Sequence, residues 1–270
     1  VTARRFEGKV ALITGAARGQ GRAEAVRLAS EGADIIAIDF CQTYPTVTYA
    51  GSTRADLDET IRLVEEQDQR ALPFEVDTRD LDAMAAAVRD GVAEFGHLDV
   101  VVANAGMTSA AKTWEITMES WEETLSANLT GAFVTAKVTV PVMIEQGTGG
   151  SIVFTSSEAG LKGLPFLAHY VAAKHGVVGL TKTLANEVAQ YNIRVNSIHP
   201  WAVNTGLHVN ELNPMLEEYA TTLAPIYMQA LPDTASEPED IAAGVAWLAS
   251  DEARHVTGIQ LPLDLGVSNR

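Results

Sequence analysis

Short apolar runs alternating with longer amphipathic stretches constrain this chain more than any other feature, because few architectures bury both. Val10 to Ile13 is an unbroken apolar run, followed by glycines and a helical pattern from about Gly19 to Glu31. Ile35 to Ile38 is a second run, closed by Asp39. Helical periodicity from Asp56 to Gln67 leads to a strand at Ala71 to Val76, and Asp80 is placed to N-cap an alanine-rich helix through Glu94. Leu98 to Ala103 is apolar throughout, as a central parallel strand covered on both faces should be. A long helix from about Met118 to Gln146, bent near Pro141, precedes a strand at Ser151 to Thr155. Then come a helix at Ala168 to Gln190, a strand at Arg194 to Ile198, a helix at Asp240 to Ala249 and a seventh strand at Gly258 to Pro262. This alternation predicts an α/β fold: a doubly wound, seven-stranded parallel sheet with helices on both faces, built from βαβ units. Ligands bind such sheets beyond the carboxyl ends of the strands, where the strand order reverses.

No linker, repeat or low-complexity stretch divides the 270 residues, so residues 1–270 are expected to form one domain. Two irregular segments stand out. Residues 40–53 directly follow the second strand and are long for an ordinary connection; residues 200–238 follow the sixth and mix short helical pieces with Trp, Met, Asn and Pro. Both open at the carboxyl edge of the sheet, where a lid or substrate loop would sit. A formal net charge of -16 disfavours nucleic acid and anionic lipid as partners. Cys41 is the only cysteine, which rules out an internal disulfide and a thiolate metal cluster. The N-terminal Val1 to Glu7 has two arginines with no apolar run behind them, unlike a signal peptide. No apolar stretch is expected to reach the roughly 18 residues of a membrane span, and the expectation is a soluble cytoplasmic protein.

Gly15, Gly19 and Gly21 lie between the first strand and its helix, in Thr14-Gly15-Ala16-Ala17-Arg18-Gly19-Gln20-Gly21. A pyrophosphate needs that setting: close backbone approach, and the free N–H groups and positive dipole end of a helix N-terminus. Three residues separate the first two glycines, unlike the usual GxGxxG, and a ligand-free glycine turn would read similarly. Asp39 lies 18 residues past Gly21, where a carboxylate can accept from both ribose hydroxyls of NAD and repel a 2′-phosphate. Arg18 in the glycine loop pulls the other way, toward NADP, but charge repulsion at the ribose favours NAD. Asp77, after the third strand, can reach an adenine amino group or be a solvated turn acid. Asn104-Ala105-Gly106, after the fourth, supplies an amide and small residues beneath a cofactor, or a simple turn.

Tyr170 and Lys174 are four apart on a helix and so share one face. A free phenol, with a pKa of about 10, is a poor base at neutral pH. A neighbouring ammonium, joined by the positive charge of oxidised nicotinamide, stabilises the phenolate. Tyr170 can then take the proton of an alcohol or return it to a ketone. Ser157 lies 13 residues earlier, after the fifth strand, placed to hydrogen-bond the substrate oxygen; Ser156 competes for that role. Asn128 is a polar amide inside the long helix, where it is disfavoured unless it faces solvent or marks a kink that holds a relay water.

Together, Thr14 to Gly21, Asn104 to Gly106, Asn128, Ser157 and Tyr170 to Lys174 resemble the short-chain dehydrogenase/reductase family over nearly the whole chain. The resemblance implies a Rossmann-like fold and a catalytic tetrad of Asn128, Ser157, Tyr170 and Lys174. Tyr170 would be acid and base, Lys174 would tune it and bind ribose, Ser157 would orient the oxygen and Asn128 would support a relay. It also implies cofactor contacts from Pro200, Val203 and Thr205, and a homotetramer. Pro200-Trp201 stands where the family has Pro-Gly, and Gln20 replaces the usual Ile. Gly15 to Arg22, the Cys41-containing insert and Val102 to Gly106 are similar to carveol dehydrogenases and mycofactocin-associated enzymes. That branch implies a tightly held NAD reoxidised by a separate redox partner, with residues 40–53 clamping the cofactor; a plain surface excursion is the rival reading of that insert. The implied substrate is a hydrophobic, cyclic, terpenoid secondary alcohol and its ketone. Two other functions stay open: an NADPH-dependent 3-oxoacyl reductase on the same scaffold, which Asp39 opposes, and a non-catalytic NAD sensor, which the Tyr170–Lys174 pair opposes.

His97, His169, His175, His199, His208 and His255 lack the spacing of a metal-ligand set, so no metal is expected; His169 and His199 fall near the site by position. Trp114, Met118 and Trp121 have helical spacing suited to core or interface. Trp201, Leu207, Met215, Leu216 and Tyr219 can line an apolar substrate pocket or simply pack.

Overall fold

The computed structural model describes residues 4–207 and 209–270; His208 lies outside the described residues. Seven strands, β1 (Val10–Thr14), β2 (Asp34–Asp39), β3 (Ala71–Glu75), β4 (Val100–Ala103), β5 (Gly150–Thr155), β6 (Ile193–Pro200) and β7 (Gln260–Leu263), form one parallel sheet. Their order is β3-β2-β1-β4-β5-β6-β7. The winding therefore reverses between β1 and β4, and the crevice opens beyond Thr14 and Ala103, which are register partners.

The helices α1 (Gly19–Ser30), α2 (Arg54–Glu65) and α8 (Pro238–Ala249) cover one face. The other is covered by α3 (Leu81–Phe95), α5 (Gly131–Gln146) and α6 (Ala168–Val188). Burial on both sides explains the unbroken apolar runs. Along β1, Val10 and Leu12 enter one core while Ala11 and Ile13 enter the other; Val101 and Ala103 part from Val100 and Val102 in the same way along β4. The helix starts are written locally. Asp80 accepts from the backbone N–H groups of Asp82 and Ala83 at α3, and Thr53 and Asp56 form a reciprocal capping box at α2.

The long helix breaks at Asn128, the kink that its buried amide allowed, and not near Pro141. It runs as α4 (Met118–Leu125), a π turn at Ser126–Thr130 and α5, and Pro141 sits inside α5. The irregularity thus falls at Asn128, whose amide donates to the Thr124 carbonyl one turn back. The full run of 29 residues contains an 18-residue window of mean hydropathy 1.3. By length and composition it could cross a membrane, which corrects the expectation that no such stretch exists. Half of that window is buried in the protein, with Val134, Ala136 and Met143 in the core.

Both irregular segments lie where the carboxyl edge opens. Residues 40–53 contain no helix or strand. The second segment carries α7 (Leu212–Glu218) and a 3-10 turn, Ala224–Tyr227, and a bridge between Val203 and Ser236 closes its base.

Candidate active site

The glycines come together as a cradle. Gly15, at φ +69°, carries the chain from β1 so close to the β4 loop that a Cβ would lie 2.9 Å from Ala105 Cα. At Gly21 a Cβ would run into the Gly15 carbonyl oxygen. Thr14 joins the two loops: its hydroxyl accepts from the N–H groups of Asn104 and Ala105, both at 3.1 Å, while the Asn104 amide donates to the Thr14 carbonyl. Among the described residues no side chain caps α1, so its first N–H groups and positive dipole end are open to a ligand.

Gly15, Arg18, Gly19, Gln20, Asp39, Asn104, Ala105, Gly106 and Thr205 wall an open cleft. Its other side is the insert, through Phe40, Tyr44, Val47, Tyr49 and Ser52 among others. The insert is anchored along its length. Arg18 donates to the Ala50 carbonyl at 2.7 Å, and the Thr46 hydroxyl and N–H donate to Glu123. The Tyr49 hydroxyl accepts from Thr108 N–H and donates to the Thr108 carbonyl, both at 3.1 Å. Asp39 is buried and already accepts from Ala17 N–H, Cys41 N–H and the Ser52 hydroxyl. A carboxylate has about four acceptor sites, so a ribose hydroxyl can take the free one or displace Ser52. A 2′-phosphate would meet that charge. Arg18, the residue that argued for NADP, also walls the cleft, with one guanidinium nitrogen tied to the insert.

Asp77 stands apart from the cleft walls, with both oxygens held by Arg79, whose guanidinium lies over the Phe40 and Tyr44 rings. Val203 packs against the core under α1 and α8, and Pro200 offers its carbonyl to the Ser157 hydroxyl at 3.4 Å.

A second group sits where β5 ends and α6 begins. Tyr170 and Lys174 are one turn apart on α6, and Ser157 heads a 3-10 turn, Glu158–Gly160. The Ser156 hydroxyl donates to the Lys174 carbonyl, which removes it as a competitor for Ser157. Lys174 is 3 % exposed; its ammonium donates to the Thr155 carbonyl at 2.8 Å and lies 5.4 Å from the centre of the Tyr170 ring. Burial lowers the Lys174 pKa to about 8, with Glu158 opposing. Burial and the Glu158 charge push the Tyr170 phenol above its usual range, opposed by its hydrogen-bonding contact with the Ser157 hydroxyl. Desolvation is the largest cause of this rise in the polypeptide alone; the lowering expected from the sequence belongs to the phenol beside an oxidised nicotinamide.

Asn128 joins the two groups. Its amide nitrogen donates to the Met107 carbonyl at 2.7 Å, and its oxygen accepts from Met107 N–H at 3.3 Å. A Cβ at Gly106 would fall 2.6 Å from Asn128 Oδ1 and 3.5 Å from Lys174 Nζ, so only glycine leaves that space open. Over Tyr170 lies an apolar cluster containing Leu164, Phe166, Met215, Leu216 and Tyr219. Trp201 is outside it, and Leu207 lines the nucleotide cleft instead. Trp114 and Met118 are exposed, so core packing does not account for them.

Of the two histidines, His199 Nδ1 donates to the Ser157 carbonyl at 2.6 Å, and burial lowers its pKa to about 4, so it braces the serine as a neutral ring. His169 is buried against Ser109. Sequence reasoning missed Glu158, Ser52 and Tyr49. Only Glu158 left a signal, as a charged residue among small and apolar ones in Ser157-Glu158-Ala159-Gly160.

The arrangement can position an alcohol or ketone oxygen between a phenol and a hydroxyl beside a dinucleotide cleft. Comparison with known proteins agrees. Residues 9–215 match the family described as short chain dehydrogenase. The (-)-trans-carveol dehydrogenase of Rhodococcus erythropolis is 43% identical over 98% of this chain and 99% of its own. A short chain dehydrogenase from Mycobacterium paratuberculosis, solved bound to NAD, superposes with a TM-score of 0.96 at 46% identity, covering 98% of this chain and 100% of its own. The carveol dehydrogenase of Mycobacterium avium, solved with NAD, gives 0.93 at 44% identity and 98% and 99% coverage. With its cradle, its Tyr170–Lys174 turn and this kinship over nearly its whole length, the chain belongs to the short-chain dehydrogenase family.

Proposed function

We propose that this oxidoreductase converts a hydrophobic, cyclic secondary alcohol of carveol-like, terpenoid type to its ketone, with NAD as cofactor. The observation that carries the reading is the meeting of Tyr170, Ser157 and Lys174 beneath the apolar cluster over α6. NAD, when bound, supplies a hydride acceptor and a positive charge. Gly15, Gly19, Gly21 and the start of α1 would hold its pyrophosphate, and Asp39 its adenosine ribose.

Ser157 donates to the substrate oxygen and Tyr170 takes the hydroxyl proton. Lys174 holds positive charge beside the phenolate and binds ribose, and Asn128 fixes the Met107 backbone next to both. Phe166, Met215 and Tyr219 exclude water and favour an apolar ring. The anchored insert clamps the cofactor, so electrons leave through a separate redox partner. Trp114, Met118 and Phe133, all exposed, offer apolar surface for a homotetramer, which light scattering tests.

The test is mass spectrometry of extensively dialysed, then denatured protein, followed by an alcohol panel with an artificial electron acceptor. Retained NAD and turnover of carveol or cyclohexanol are expected. Freely exchanging NAD overturns the clamp. Reduction of a 3-oxoacyl thioester with NADPH, without alcohol oxidation, overturns the substrate reading.

A further inference from the structure

Glu158 is a buried carboxyl, 6 % exposed, pressed against a group the reaction needs. Its Oε2 lies 2.5 Å from Ser157 Oγ, within the range of a hydroxyl donating to a carboxylate. Ser157 also accepts from Ala159 N–H at 3.2 Å, the Pro200 carbonyl is 3.4 Å away, and the Tyr170 phenol is its remaining hydrogen-bonding neighbour. A hydroxyl has one hydrogen. While the carboxylate holds that hydrogen, Ser157 has none for a substrate oxygen. A protonated Glu158 reverses the bond, donating to Ser157 Oγ and freeing the serine hydrogen.

We infer that Glu158 is a positioning residue: its carboxyl, by holding or releasing the hydrogen of Ser157, sets whether that hydroxyl can donate to the substrate oxygen. The inference rests on the reading that Ser157 orients this oxygen. No covalent bond of the substrate involves Glu158, and its proton exchanges with solvent.

The surroundings make both states available. Glu158 faces Tyr170 and Lys174 of α6, Asp264 after β7 and Tyr227 of the 224–227 turn. His199 of β6, bound to the Ser157 carbonyl, is neutral. Lys162, close in sequence, is turned away to the carbonyls of Ile226 and Val267. The Asp264 oxygens accept from the N–H groups of Gly266 and Ser268. Burial and the Asp264 charge outweigh the hydrogen bonds to the carboxyl and raise its pKa to about 7.

Glu158→Gln keeps a donor toward Ser157 at every pH. The experiment compares kcat/KM of wild type and E158Q against pH, for cyclohexanol oxidation with NAD and cyclohexanone reduction with NADH. Above about pH 7 the E158Q to wild-type ratio should climb about tenfold per pH unit in both directions. A charge effect on Tyr170 alone would raise oxidation and lower reduction, and that result overturns the inference; so does a flat ratio. In a Ser157→Ala background the E158Q change should leave the profile unmoved, and a persisting slope also overturns it. Infrared difference spectra read the same proton without turnover: beyond the band that Glu24 gives in both proteins, wild type should show a second protonated-acid carbonyl band that fades between about pH 6 and about pH 8 and that E158Q lacks. A second band that does not titrate there overturns it as well. If Ser157→Ala alone keeps full kcat/KM, the serine reading fails. If that variant is impaired and the ratio is flat, only the role of Glu158 fails.

Discussion

Tyr170 and Glu24 show how burial acts on single groups. The Tyr170 phenol is pushed up by desolvation, so positive charge must gather beside it before it can act as a base. Tyr170→Phe should lower kcat by about 10²–10⁴-fold while NAD binding, read by calorimetry, stays within a few-fold. Glu24 is fully buried on α1 and neither oxygen has a hydrogen-bond partner among the described residues. Burial raises it from 4.5 to about 8. Between those values the folded chain keeps a proton that the unfolded chain has shed, so stability falls as pH rises through this window. Glu24→Gln should remove that slope and add on the order of a few kcal/mol at alkaline pH, seen in denaturant melts from pH 5 to 9.

Two elements turn local sequence into site geometry. The π turn aims Asn128 at the Met107 backbone instead of leaving it on a regular helix. Asn128→Ala removes the bonds to the Met107 and Thr124 carbonyls, and should cost about 1–3 kcal/mol in denaturant melts, with a fall in kcat. The insert depends on a few polar anchors. Tyr49→Phe removes its two bonds to Thr108 and should speed NAD release about tenfold, followed by stopped-flow displacement of bound NADH.

At the scale of the whole molecule, the β1 and β4 loops must approach to backbone contact at the reversal in strand order. Gly15→Ala places a methyl 2.9 Å from Ala105 Cα at a positive φ. It should destabilise the chain by more than about 1 kcal/mol and abolish NAD retention, read by melts and mass spectrometry. The strands were legible in the sequence because burial on both faces leaves runs such as Val100 to Ala103 without polar interruption. Gly15, Asp39, Ser157, Tyr170 and Lys174 were legible because each falls at a fixed place relative to a strand end or a helical turn. The partners of those residues depend on folding. Nothing near Asp77 ranks Arg79 above an adenine, and Asn128, a candidate kink marker in the sequence, gave neither the π form of the break nor its Met107 partner. The 40–53 wall and the Glu158–Ser157 contact depend on which atoms meet across the sheet edge, and the rise at Tyr170 depends on the loss of water around its phenol. Periodicity and spacing, which the chain carries locally, determined the sheet and its candidate groups; hydrogen-bond partners and desolvation, which exist only after distant segments pack, decided how those groups are tuned.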